Sequence, residues 1–260
     1  NTSRRLRQSE IDDYSAYFKH FFDPEVMWKY RPDYLAREEY LRQVGKSRLR
    51  SSLLRAAEVS DAGQLTTPNR RFVKSDEAAF TTALTEAQKA AAVLEPRLNA
   101  LYALLQQGEK DRPQEIEPRW QAGFDLAIGR VMAARVRAQG YNAMLAAAKR
   151  GLKFADEKNN TWVLNPADEI STGSQLSKAA QAAEEYLERV VREHPETPWA
   201  MLAALELRTP LGWKWSETFT DLAPRVAAAG NNNNNNNRPP PTARPLSLPK
   251  PPPKRSPPKL

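Results

Sequence analysis

The stretch SDEAAFTTALTEAQKAAAVLEPRLNALYALLQQG, residues 75–108, carries the strongest periodic signal in the chain. Its apolar residues step alternately by four and three, and they are Phe80, Leu84, Ala87, Ala91, Leu94, Leu98, Leu101 and Leu105. This heptad spacing predicts a long helix that packs lengthwise on a neighbour, capped by Ser75 and ended by Gly108. Because proline lacks the backbone N–H that a helix interior needs, we expect a kink or a break at Pro96.

Helical stripes also precede this stretch. The first of them comprises Ile11, Tyr14, Phe18 and Phe21. Asp23 and Pro24 follow as a helix cap and a first-turn proline, so a short helix should begin there. A third segment, from about Tyr34, carries Leu41, Val44, Leu49, Leu53 and Ala57.

Two further helical regions follow it. A stripe of Trp120, Phe124, Ala127, Val131 and Ala134 begins after Pro118, and Gly140 precedes another, of Tyr141, Leu145, Ala148 and Leu152. Two antiparallel helices and one long bent helix both fit this pattern. Residues 156–173 are expected to form a loop that includes a short extended piece. The last strong helix runs from Ser174 to His194, with Leu176, Ala180, Ala183, Leu187 and Val190 inward.

Residues 174–207 have features of a helical hairpin. Ala183, Leu187, Val190 and Pro195 show the spacing of the second helix of a tetratricopeptide repeat. The sequence therefore predicts an all-α fold, either an irregular helical bundle or short tetratricopeptide-like hairpins. We divide it into helical segments at 1–60, a loop at 61–75, a helical body at 76–222 and a disordered Asn- and Pro-rich tail at 223–260.

Charge is concentrated in that tail. The chain has a net charge of +8, with 39 basic and 31 acidic residues. Six of the cations lie in the acid-free tail, and they are Arg238, Arg244, Lys250, Lys254, Arg255 and Lys259. The rest of the chain is nearly neutral, so nucleic-acid binding by the helical body is not expected. The tail could bind nucleic acid, an anionic membrane surface or an aromatic-lined partner groove, or could serve as a spacer.

No residue combination predicts a catalytic, cofactor-binding or metal site. Cysteine is absent, and the two histidines, His20 and His194, lack a second ligand at a suitable spacing, so we assign both a structural role. We expect His194 to be partly protonated at its helix end. The glycines of AGFDLAIG (residues 122–129) lie on a helical stripe, where close helix packing explains them.

Tryptophans supply the candidate partner-binding residues. Trp199, Trp213 and Trp215, with Phe219 nearby, could form a groove for a peptide. Aromatic residues at helical spacing are more often part of the core, and we favour that interpretation.

Many separate strings resemble one protein family. They are MWKYRPDY (27–34), LTEAQKAAA (84–92), RWQAGFDLAIGRV (119–131), YNAMLAAAKRGLKF (141–154), EHPETPWAMLA (193–203) and TPLGWKW (209–215), together with the proline tail. Over nearly residues 9–260 the chain resembles the C-terminal region of large planctomycete-type bacterial proteins that carry a von Willebrand factor type A (VWA) domain upstream. The resemblance implies a divalent metal on an Asp-x-Ser-x-Ser loop of that upstream domain. No such loop occurs here, so no site residue is transferred.

These observations lead to one main prediction of function. We expect a soluble piece of a longer bacterial protein, without a targeting segment of its own, that serves as a non-enzymatic interaction or scaffold region for a protein partner. The resemblance also implies that a segment outside this chain anchors the parent protein to a membrane. The alternative is binding to nucleic acid or an anionic membrane through the tail.

Overall fold

The computed structural model describes residues 22–60 and 68–222. The predicted stripe Ile11, Tyr14, Phe18 and Phe21, His20 and the whole tail lie outside these residues. The described helices are α1 (Pro24–Trp28), α2 (Arg37–Gly45), α3 (Arg48–Ser60), α4 (Glu77–Ala92), α5 (Leu94–Gln106), α6 (Pro118–Ala148), α7 (Ser174–Glu193) and α8 (Pro198–Leu207), with a 3-10 helix at Glu109–Gln114. Three strands complete the fold, namely β1 (Arg71–Val73), β2 (Thr161–Ala167) and β3 (Gly212–Thr218).

The heptad stretch forms two helices, and the predicted break is confirmed. Helix α4 ends at Ala92 and α5 begins at Leu94, so Pro96 falls in the first turn of α5, where a backbone N–H has no partner within the helix. The N-cap of α4 is Asp76 rather than Ser75, since the Asp76 Oδ1 accepts a 2.7 Å hydrogen bond from the Ala79 N–H. Because of the break, α4 and α5 contribute to different parts of the core.

Helix α6 passes through Gly140, where the sequence allowed either two antiparallel helices or one long bent helix. It is a single helix of 31 residues that begins at Pro118 and continues through Gly140. The backbone at Gly140 approaches Trp213 closely, because a Cβ there would lie 3.2 Å from the Trp213 Cδ1 and the ring would have to shift by a few tenths of an ångström. Helices α5, α7 and α8 pack along α6, which is therefore the central element of the helical part.

Helix α7 packs very closely against α6. A Cβ at Gly129 would lie 2.9 Å from the Leu187 Cγ, so the prediction of close helix packing at the AGFDLAIG glycines is confirmed for Gly129. Ala183, Leu187 and Val190 are buried as predicted. The Arg189 Nη1 of α7 lies 3.5 Å from the Asp125 Oδ1 of α6.

A small antiparallel sheet corrects the prediction of a purely helical body. The strand order is β1-β2-β3, and the register pairs Phe72 with Trp162 and Leu164 with Trp215. Side chains alternate across a sheet, so these four residues share one face, which packs on α4 and the end of α6. The sequence GWKWSET of β3 alternates large apolar and polar residues, a period of two that the helical interpretation of the tryptophans missed.

The buried apolar residues form three clusters. The largest joins α3, α5, α6 and α7 around Leu49, Leu105 and Phe124. A second joins the sheet, α4 and the C-terminal half of α6, and a third joins α6, α7 and α8. The fold is thus mostly helical with a sheet at one end of α6. Within the two described ranges, no helix combines the length and the apolar character needed to cross a membrane.

Candidate partner-binding groove

One face of α6 is only partly covered by the rest of the fold. Ala127, Val131, Ala134 and Ala138 are half-buried and line two adjoining cavities, and Tyr141 continues the same stripe. These residues step by four, three, four and three. At 1.5 Å per residue the stripe is about 21 Å long. We call the two cavities together the α6 groove.

The first part of the α6 groove lies between α3, α5, α6 and the end of α8. Its volume is about 500 Å³. The lining is mainly apolar and comprises Leu53, Ala56, Ala57 and Ser60 of α3, Arg97, Leu98, Leu101 and Leu105 of α5, Ala127, Arg130, Val131, Ala134 and Arg137 of α6, and Glu206 of α8. Alanine side chains on α3 and α6 leave this part of the groove open, because larger side chains at these positions would fill it.

The second part lies next to strand β3 and is almost entirely apolar. It encloses about 250 Å³ and is lined by Pro68, Ala91, Leu94, Leu98, Ala134, Arg137, Ala138, Tyr141 and Trp213. The Tyr141 hydroxyl donates a 2.6 Å hydrogen bond to the Asn69 carbonyl, and burial raises the pKa of Tyr141 to about 12. Tyr141 is therefore a neutral donor at physiological pH. Because both parts share Leu98, Ala134 and Arg137, they form one continuous groove.

Arg137 is fixed where the two parts meet. Its Nη1 lies 2.5 Å from the Glu206 Oε1, its Nε donates to the Pro210 carbonyl over 3.1 Å, and its Nη2 donates to the Thr209 carbonyl over 3.0 Å. Three separate acceptors hold the guanidinium against the end of α8. This part of the groove wall is therefore preorganised.

Positive charge predominates among the groove residues. Arg130 and Arg137 share a single carboxylate, Glu206, which leaves these three side chains with one surplus positive charge. The Arg130 Nε lies 3.3 Å from the Glu206 Oε2, and the Arg130 side chain is 54% exposed. The Arg97 Nη2 donates to the Ser60 carbonyl over 2.8 Å.

Exposed apolar side chains continue outward from the groove. Leu202 and Leu205 of α8 are 38% and 50% exposed, and Val59 of α3 is 40% exposed. Leu202 lies one turn before Glu206, so both lie on the same side of α8. Val59 immediately precedes Ser60, which lines the groove. Apolar surface is thus present on two of the helices that border the opening.

The three tryptophans proposed from the sequence do not form one groove. Trp199 stacks on Tyr30 with ring centroids 5.3 Å apart and packs on the cluster of α6, α7 and α8. Trp215 lies in the sheet core, against Phe72 and Trp162. Only Trp213 lines the α6 groove, where its Nε1 donates a 2.9 Å hydrogen bond to the Arg137 carbonyl.

A cluster of buried charged groups lies on another side of α6. Asp125 is fully buried and accepts a 2.9 Å hydrogen bond from the Arg112 Nε, while the Arg112 Nη2 also donates to the Glu193 Oε2 over 3.0 Å. Burial raises the pKa of Asp125, against the opposing effect of Arg112. The groups are paired with one another, and this arrangement supports a structural rather than a catalytic role.

His194 is buried at the end of α7, with 2% exposure. Its Nδ1 lies 3.0 Å from the Tyr30 hydroxyl, and its Nε2 has no hydrogen-bond partner among the described residues. Burial lowers the pKa of His194, and the positive charge of Arg112 lowers it further. Burial and Arg112 thus oppose the partial protonation expected at this helix end.

No metal site is evident in the described part of the chain, where no group of three or more His, Asp or Glu side chains could hold an ion. The six tail cations, Arg238, Arg244, Lys250, Lys254, Arg255 and Lys259, lie outside the described residues. Comparison with protein families, with curated proteins and with solved structures finds no match.

The sequence predicts the stripe that forms part of the α6 groove floor. It places Ala127, Val131 and Ala134 on one helical stripe with Trp120 and Phe124. The structure buries Trp120 and Phe124 and leaves the three smaller residues half-covered. Periodicity shows which residues share a face, whereas the covering of that face depends on residues distant in sequence. The sequence signal for a partly covered face is that arginines at 130 and 137 alternate with small side chains along it.

Proposed function

We propose that this chain is a non-catalytic interaction or scaffold region of a bacterial VWA-domain protein, and that it binds a protein partner through the α6 groove. The observation that carries the proposal is the groove itself. Its floor is a heptad-spaced stripe of small apolar side chains, and arginines line its walls. Partner-binding surfaces combine an apolar centre with a polar rim in the same way.

The α7–α8 pair supports an interaction role as well. Ala183, Leu187 and Val190 of α7 are buried, and Leu187 and Val190 pack in one cluster with Ala203 of α8. We propose that residues 174–207 form a tetratricopeptide-like hairpin. Leu202 and Leu205 of its second helix are exposed, and in repeat arrays such a surface is covered by the following helix.

Site-specific photocrosslinking in cells tests the proposed function. A photoreactive phenylalanine analogue replaces Ala57, an exposed residue of α3 that lines the α6 groove, in the parent protein, and the matched control replaces Asn165, which is exposed on the opposite face of the sheet. We expect discrete protein adducts from position 57 that are weak or absent from position 165. Equal adduct patterns at both positions would show that the groove is not a selective interaction surface.

The tail supports a second candidate function. Six cations and no acid in residues 238–260 favour attraction to a polyanion, either nucleic acid or an anionic membrane. We propose this as the alternative, acting independently of the α6 groove. For cofactors, we propose that this chain needs none and that the divalent metal implied by the family resemblance belongs to the upstream VWA domain.

A further inference from the structure

We infer that the α6 groove binds an acidic amphipathic helix of a partner protein. This inference rests on the proposed function, because it assumes that the groove is an interaction surface. It adds the secondary structure, the charge and the anchoring residue of the partner segment. Each of these three properties follows from a different feature of the groove.

The spacing of the floor favours a helical occupant. Ala127, Val131, Ala134 and Ala138 step by four, three and four along α6. A heptad-spaced face presents holes between its side chains into which a second helix inserts its own apolar residues. Alanines at three of the four positions let the backbones approach closely. A stripe of about 21 Å from Ala127 to Tyr141 corresponds to roughly 14 residues of the partner helix.

The electrostatics favour an acidic partner. Among the groove residues, Arg130 and Arg137 share the one carboxylate, Glu206, so one positive charge is in excess. Arg130 is the most accessible of the described ion-paired arginines of α6, with a side chain 54% exposed against 20% for Arg137. Glutamates that flank the apolar stripe of the partner helix would approach Arg130 and share it with Glu206. A basic helix would meet repulsion along the same walls.

The second part of the groove favours one large apolar anchor. Its volume of about 250 Å³ is closed by the rings of Tyr141 and Trp213 and has almost no polar lining. Both rings are held in place, since the Tyr141 hydroxyl bonds the Asn69 carbonyl and the Trp213 Nε1 bonds the Arg137 carbonyl. A preformed aromatic pocket suits a Phe or Leu side chain, and such buried anchors supply most of the affinity of an interface.

A designed peptide tests the inference on the full chain. The probe is a fluorescent helical peptide of 18 residues with leucines on one heptad stripe, a phenylalanine at one end of that stripe, and glutamates beside it. Two matched peptides carry lysines in place of the glutamates, or the same composition in scrambled order. Fluorescence anisotropy should show saturable binding of the acidic peptide and at least fivefold weaker binding of both others.

Paired variants locate the binding. Ala134→Trp fills the groove and should weaken binding of the acidic peptide at least tenfold, while Ala146→Trp, at an exposed position of α6, should leave it unchanged. Arg130→Glu should weaken the acidic peptide and strengthen the lysine peptide, whereas the exposed control Arg150→Glu changes the net charge equally and should alter neither by more than twofold. Circular dichroism confirms that each variant is folded.

Several results would overturn the inference. These are equal binding of the scrambled peptide, preference for the lysine peptide, or no effect of Ala134→Trp. Displacement of the acidic peptide by duplex DNA would assign the arginines to a nucleic acid instead. A wild-type dimer that Ala134→Trp converts to a monomer would identify a second copy as the occupant. If photocrosslinking from position 57 succeeds while the peptide fails to bind, the proposed function stands and only the helical acidic partner is rejected.

Discussion

Arg112 and Asp125 form a buried ion pair, with the Arg112 Nη2 2.7 Å from the Asp125 Oδ2. The pair joins the 3-10 helix to the centre of α6. Glu193 of α7 lies 3.0 Å from the same Arg112 nitrogen, and Arg189 of α7 lies 3.5 Å from the other Asp125 oxygen. Three elements are thus connected through charges in a region that is otherwise apolar, and each charge depends on its partners to offset the loss of hydration.

Removal of one partner of this pair should strongly destabilise the fold. Arg112→Met leaves the Asp125 carboxylate buried with only the distant Arg189, so we expect the free energy of unfolding to fall by about 3–5 kcal/mol. The double variant Arg112→Met with Asp125→Leu removes both charges. Its free energy of unfolding should therefore fall by less than that of Arg112→Met alone. Urea denaturation followed by circular dichroism measures both. A double variant no more stable than the single one would contradict this account.

An exposed ion pair provides the control. Arg42 pairs with Glu39 on α2, and the Arg42 side chain is 64% exposed. Since surface pairs contribute little, Arg42→Met should change the free energy of unfolding by less than about 0.5 kcal/mol. A loss as large as that of Arg112→Met would show that burial is not the cause of the difference.

His194 should make the fold sensitive to mild acid. Burial and then Arg112 lower the pKa of His194 in the folded state, so the unfolded chain binds the proton more tightly. Stability should therefore decrease as the pH falls below about 6.5, at a slope of at most about 1.4 kcal/mol per pH unit from this residue. His194→Asn keeps an acceptor for the Tyr30 hydroxyl but does not titrate, and it should remove this part of the slope between pH 7 and 5.

The comparison of the two proteins separates His194 from other groups. All other titratable groups are common to the two proteins, so the difference in slope reports His194. Identical slopes would mean that the imidazole is as accessible to protons in the folded state as in the unfolded chain.

Local sequence signals predicted most of the helical part of the fold. The break before Pro96, the start of α6 at Pro118 and the buried face of α7 follow from proline stereochemistry and from a period of 3.6 residues. The short extended piece expected within residues 156–173 corresponds to β2. The other two strands of the sheet were missed, because β1 has only three residues and the tryptophans of β3 were assigned to a helical face. The stability of the sheet comes from pairing between residues 71–73, 161–167 and 212–218, and such distant pairing leaves little local signal.

The functional site was harder to predict than the fold. The tryptophans share a residue type but lie in separate surroundings, and only Trp213 reaches the α6 groove. Its position depends on the pairing of β3 with β2 and on the absence of a side chain at Gly140. Neither relationship can be inferred from the spacing of the tryptophans.

Two glycines of α6 should respond in opposite ways to substitution by alanine. A Cβ at Gly129 would lie 2.9 Å from the Leu187 Cγ and 3.2 Å from the Tyr186 Cβ, so α7 must move, and we expect a loss of about 1–3 kcal/mol. A Cβ at Gly123 would lie 3.4 Å from its nearest neighbour, an ordinary contact. Because alanine favours the helix, Gly123→Ala should stabilise by up to about 1 kcal/mol. Equal effects in thermal or urea unfolding would contradict the close approach of α6 and α7.

The basic tail should confer weak and salt-dependent binding to polyanions. Arg238, Arg244, Lys250, Lys254, Arg255 and Lys259 can each approach a phosphate, since no acid accompanies them in this segment. If all six neutralise phosphates of duplex DNA, the slope of log affinity against log salt should be roughly −5.

The measurement is a titration of the full chain against duplex DNA and against anionic vesicles at several salt concentrations. A full chain with all six residues replaced by glutamine is the control and should lose this binding, because the remaining charges nearly cancel. Salt-independent binding, or binding retained by the control, would place the interaction elsewhere and leave the tail as a spacer or a ligand for a partner groove.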